Sequence, residues 1–145
     1  MREFDPHYTR LLRRMSRQVM AKIWQAGQAG EPLEGDDELL YQIMRDHPEY
    51  HDLWDTIDYV VDREVVIDGV NPFLHVTMHH TIESQFREGN PPEVRDAILR
   101  LLHRGYDRHE AIHRVAHVFA VLLWEALREE GPVSMEKYRK RLKEL

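Results

Sequence analysis

The sequence predicts an all-α protein, a single-domain helical bundle of about seven helices. Three observations carry this. Apolar residues recur at spacings of three and four along most of the chain. Helix-starting residues (Asn71 with Pro72, Asp107, Ser134) precede those periodic runs, and glycines follow them. Strand character is confined to VVIDGV, residues 65–70, and a lone strand has no partner.

A first helix should run from about Pro6 to Ala29, carrying Leu11, Leu12, Met15, Val19, Ile23 and Trp24, with Gly27 and Gly30 near its end. EPLEGDDE is a loop. A short helix follows, about Asp37 to Asp46, with Leu39, Leu40, Ile43 and Met44. Pro48 suits the first turn of another, whose core face is Tyr50, Leu53, Trp54, Ile57 and Val61. Asn71 and Pro72 open a helix to about Glu88, stopped by Gly89. Asn90 with Pro91 and Pro92 opens one to His103, stopped by Gly105. Asp107 caps the long helix RHEAIHRVAHVFAVLLWEALREE, which Gly131 and Pro132 end, and Ser134 caps the last.

The 145 residues fit one domain, 1–145, on which the basic helix of residues 1–30 packs. Hydrophobic residues make up 42% and charged residues 32%, so the chain is globular rather than disordered. No apolar run is long enough to span a membrane, so no membrane partner is expected. MREFDPHYTRLLRRMSR lacks the apolar stretch of a secretory signal, and the expected setting is cytoplasmic. The absence of cysteine excludes disulfides, iron–sulfur clusters and thiolate zinc sites. Any metal must be held by His, Asp or Glu.

The net charge of −6 is unevenly spread: residues 1–30 hold six Lys or Arg against two acids, and residues 31–62 hold one Arg against eleven acids. Pairing of these regions within the fold is the expected use of the contrast. Nucleic acid is not an expected partner, because its recognition needs a larger basic surface. The stripe Arg10, Arg13, Arg14 and Arg17 reads as a solvated or salt-bridged face. The sequence leaves homo-oligomerisation open and names no protein partner.

Seven of the ten histidines fall at i, i+4 spacing: His47 and His51, His75 and His79, then His109, His113 and His117. On a helix that spacing points two imidazoles the same way, as metal capture from one helix requires. On a wheel of about 100° per residue, Leu74, Met78, Ile82 and Phe86 cluster, with His75 and His79 overlapping that face and Glu83 at its border. His80 falls on the solvent side. On the long helix Ile112, Ala116, Phe119, Leu123 and Leu127 cluster, with His109 and His113 beside them and His117 and Glu110 further round. Trp124 reads as core. His51 lies far from its apolar face, making His47 and His51 the weakest pair.

The expected metal ligands are therefore His75, His79, His109 and His113 with Glu83, and secondarily His47, His51 and His117. Imidazole donors suit zinc or iron, and carboxylate shifts the preference toward iron or manganese. HEAIH, residues 109–113, also reads as H-E-x-x-H, in which Glu110 would be the catalytic base of a metal-dependent hydrolase. Asp107 and Glu110 read better as a helix start, D-x-x-E, with Glu110 folded back onto the Asp107 N–H and so not free to act as a base. The expected function is divalent transition-metal binding by a small cytosolic helical protein. The alternatives are a metal-free helical scaffold or interaction module, and the hydrolase; enzymatic activity is left open.

At HPEYHDLW, GVNPFLHVTMHHTIESQ, PPEVRDAILRLL and RHEAIHRVAHVFAVLLWEAL the chain resembles a bacterial family of unknown function, domain of unknown function 1841, from about Asp37 onward. The resemblance implies that His47, His51, His75, His79, His109 and His113 match the family's histidines and ranks His117 below them. It implies no activity, substrate or cofactor.

Overall fold

A computed structural model describes residues 6–145, with side chains from residue 13 onward. Among the described residues the fold is all-α, with seven α-helices. It divides into two compact units, one through Thr77 and one from Met78 to Leu145.

The first unit opens with α1, Pro6–Gln28, and α2, Gly35–Arg45. The two helices approach closely because Gly27 lacks a side chain: a Cβ there would lie 2.2 Å from the Tyr41 ring. Its core gathers Met20, Ala21 and Trp24 of α1 with Leu39, Ile43 and Met44 of α2, then Tyr50, Trp54, Ile57, Phe73 and Val76. The indole N–H groups find acceptors: Trp24 Nε1 donates to Asp55 Oδ1 at 2.7 Å and Trp54 Nε1 to the Met44 carbonyl at 3.0 Å.

The expected core face of α1 holds at Ile23 and Trp24 and fails at Met15 and Val19, which are exposed. Leu11, Leu12 and Arg10 lie outside the residues whose side chains are described. Arg17, expected on a solvated or salt-bridged face, is 3% exposed. Its guanidinium donates to the Val60 carbonyl at 2.6 Å and to that of Arg63, and sits 4.1 Å from the centre of the Phe73 ring. Burial, helped by neighbouring Arg13, lowers its pKa from the ordinary arginine value, while Asp62 opposes the shift.

The helix expected from Pro48 is broken into a 3₁₀ turn at Pro48–Tyr50, a single turn α3, His51–Trp54, and another 3₁₀ turn at Ile57–Tyr59. Side chains take up the carbonyls that a continuous helix would use. The Thr56 hydroxyl donates to Asp52 and Leu53, and Arg17 holds Val60 and Arg63. VVIDGV is a tight reverse turn and not a lone strand. Ile67 and Val70 exchange N–H···O bonds of 2.8 and 3.0 Å across Asp68 and Gly69, whose φ values are 51° and 78°. Asp-Gly is the sequence that such a turn favours.

α4, Pro72–Glu88, begins as expected: Asn71 Oδ1 accepts from the Phe73 and Leu74 N–H groups at 3.0 and 3.2 Å. The division between units falls inside this helix. The second unit continues through α5, Pro92–His103, α6, Arg108–Glu129, and α7, Met135–Lys143. Its core joins Ile82 with Val94, Ala97, Ile98 and Leu101 of α5, Ala111, Ile112, Val115 and Leu122 of α6, and Tyr138 and Leu142 of α7. The Tyr138 hydroxyl donates to Gln85 Oε1 at 2.7 Å, and burial raises its pKa. Asp107 and Ser134 cap α6 and α7 as expected. The left-handed residue that ends α6 is Glu130, at φ 53°, one position before Gly131.

Both wheels are rotated from their expected positions. On α4 the buried residues are Pro72, Phe73, Val76, His79 and Ile82, which centre the buried face on His79 and leave Leu74 exposed. His80, expected in solvent, is partly buried. On α6 the buried set includes Ala111, Val115 and Ala126, and this turns Trp124 and Leu127 into solvent.

Candidate metal centre

The second unit brings three imidazoles together from two helices. His79 of α4 is 4% exposed. His113 of α6 is partly buried and His109, one turn earlier, is exposed. Ring centroids are 4.9 Å apart for His79 and His109, 4.4 Å for His79 and His113, and 4.4 Å for His109 and His113. One ring nitrogen of each lies within 4.8 Å of those of the others. The i, i+4 spacing on α6 sets two of the rings, and the rotation of α4 described above sets the third.

The start of α6 is fixed beside these rings. Asp107 Oδ1 accepts from the Glu110 N–H at 2.8 Å, which holds the first turn. Glu110 does not close the reciprocal half of that cap. Its carboxylate is exposed and faces Arg114 Nη2 at 3.5 Å. Arg108, next to His109, reaches Glu83 of α4 with both terminal nitrogens, one at 2.9 Å. Glu83 thus ties α4 to α6 one turn beyond His79. The hydrogen bond that Arg108 donates to this carboxylate, more than the carboxylate's charge, raises the Arg108 pKa against the opposing effect of burial. Glu83 is among the expected ligands, and its oxygens are engaged by the Arg108 guanidinium, a planar match for a carboxylate.

His75 stands one turn before His79 on α4 and, in the first unit, pairs with His47. His47, 1% exposed, has Nδ1 2.7 Å from the Ile43 carbonyl and Nε2 3.2 Å from His75 Nε2. A carbonyl can only accept, so His47 Nδ1 carries a proton and donates to it, while Nε2 faces His75. The same nitrogen–nitrogen spacing is close to the edge of a tetrahedral zinc site, about 3.4 Å for bonds of about 2.0–2.1 Å. A backbone carbonyl behind the outer nitrogen is also how ligating imidazoles are oriented. Tyr50 stacks on His47, with ring centroids 6.0 Å apart.

The remaining histidines are placed elsewhere. His51 Nε2 lies 2.8 Å from the Arg45 carbonyl, and its ring packs on Trp24 at 5.1 Å. His117 is exposed on α6. His47 is the deeper of its pair because it continues the Leu39–Ile43 stripe of α2 at the same spacing of four, a stripe visible in the sequence.

Three imidazoles without a thiolate form a donor set suited to zinc, iron, nickel or copper. Among the described residues, no helix is long and apolar enough to cross a membrane. No curated protein and no solved structure matches the chain. The sequence pattern of a recognised family covers residues 12–144, nearly the whole length, and the chain therefore belongs to Domain of unknown function (DUF1841).

Proposed function

We propose that this protein binds a divalent transition metal, with His79, His109 and His113 as ligands and zinc or iron as the best-suited ion. The observation that supports this is the convergence of three ring nitrogens from two helices to within 4.8 Å of one another. Such a spacing closes to a coordination sphere by small rotations about the side-chain torsions. The salt bridge from Glu83 to Arg108 keeps the two helices in register while it closes. No carboxylate is needed among these three donors, which favours zinc or iron over manganese. The protein works in this reading as a soluble, cytoplasmic metal-binding domain.

The test is metal analysis of protein made without a histidine tag and never exposed to nickel resin. Near-stoichiometric zinc or iron is expected, with loss in His79→Ala and His113→Ala. Absence of metal, together with a melting temperature unchanged by chelator, overturns the reading in favour of a metal-free scaffold. A hydrolytic version draws support from the exposed Glu110 carboxylate. It requires that Glu110→Gln keep the metal and lose hydrolysis.

A further inference from the structure

Apart from the three clustered imidazoles, the second unit has an open groove of 680 Å³, lined in part by His103, where the last turns of α5 and α7 lie side by side. Leu99 and Leu145 give it an apolar floor, and Leu99 is 50% exposed. Arg100, Arg104 and Lys143 line its rim against one acid, Asp96. Arg100 Nη2 donates to the Leu142 carbonyl at 2.8 Å, which joins the two helix ends and holds the rim. Arg104 and Lys143 are exposed.

The first unit presents the opposite chemistry. Between α1 and α2, Glu31, Pro32, Leu33 and Glu34 form an extended stretch bracketed by Gly30 and Gly35, whose φ values are 75° and 57°. Left-handed glycines at both ends let the chain leave one helix and enter the next abruptly, so the stretch projects. Glu31, Glu34, Asp37 and Glu38 are exposed, and Leu33 is half-exposed between the two glutamates. An apolar side chain between acids matches an apolar floor between cations.

We propose that the groove of one molecule receives the 31–38 segment of a second copy of this chain. Leu33 seats on Leu99 and Leu145, while Glu31 and Glu34 face Arg104 and Lys143. A single loop in a groove falls at the small end of protein interfaces, below about 1,200 Å² in total, so the association is weak and reversible. The attraction acts between exposed charges and is therefore screened by salt, with a Debye length of about 3 Å at 1 M against about 30 Å at 0.01 M.

The test is sedimentation velocity on the full chain over a range of concentrations, in chelator, at ~0.02 M and ~0.5 M salt. Concentration-dependent association at low salt that disappears at high salt is expected. Arg104→Glu and Lys143→Glu should each weaken it about tenfold or more with an unchanged circular dichroism spectrum. Glu34→Lys should do the same, and the double variant Arg104→Glu/Glu34→Lys should recover part of the loss. A monomer at every concentration at low salt overturns the proposal, as does association that ignores salt and all three reversals.

Discussion

Arg17 shows what a single residue does that a helical wheel does not display. Its charged end is buried, satisfied by two carbonyls and an aromatic face. Arg17→Met keeps the aliphatic stem but removes the donor to the Arg63 carbonyl and leaves the Val60 carbonyl with the Arg63 N–H alone. A hydrogen bond to a charged group contributes about 1.5–3 kcal/mol, so urea unfolding should show a loss in that range. The sequence placed Arg17 in a basic stripe, and charge pattern alone cannot identify the member that finds acceptors across more than 40 residues of chain. Tyr138 gives a pH test at the same scale. Burial raises its pKa, so the folded state favours the neutral phenol. Its contribution is fully present below the unfolded tyrosine value, about 10, and is lost as pH rises above it. Alkaline unfolding followed by circular dichroism should therefore begin above about pH 10, and Tyr138→Phe should flatten that slope while removing the bond to Gln85.

At the scale of elements, starts were more legible than faces. Asn71, Asp107 and Ser134 all cap the helices that the sequence assigned to them, because capping depends on local geometry alone. Faces depend on what lies opposite. On α4 the buried Val76 and on α6 the small buried Ala111 and Ala126 were given too little weight beside larger residues, so both stripes were centred wrongly and Trp124 was placed inside. The same rotation put His79 in the middle of its buried face, deeper than the sequence indicated. The Asp107 cap links element stability to the proposed site, since it holds the turn that carries His109. Asp107→Ala should cost about 1 kcal/mol of stability. It should also weaken metal binding measured by competition with a chromophoric chelator, more than Ser134→Ala does at the remote α7. At the other end of α6, Glu130 holds a left-handed conformation that costs a non-glycine residue about 1–2 kcal/mol. Glu130→Gly should raise the melting temperature and leave metal affinity unchanged.

At the scale of the whole molecule, metal binding becomes a question of linkage. An ion that binds the folded chain and not the unfolded one adds about 2.7 kcal/mol at a hundredfold excess over its Kd, and a domain of this size gains several degrees of melting temperature. The gain should fall as the solution is acidified, because proton and metal compete for the same imidazole lone pair. Stability alone does not say where the ion sits, since any ligand of the folded state raises it. Hydrogen exchange supplies the location. The three proposed ligands occupy α4 near His79 and the first two turns of α6, so zinc should slow amide exchange most in peptides spanning residues 76–83 and 107–116. The α7 peptide, which shares the hydrophobic core but carries no histidine, should respond less. Equal protection across all of these peptides would point to a general tightening of the fold, and no protection around His109 and His113 would remove α6 from the site.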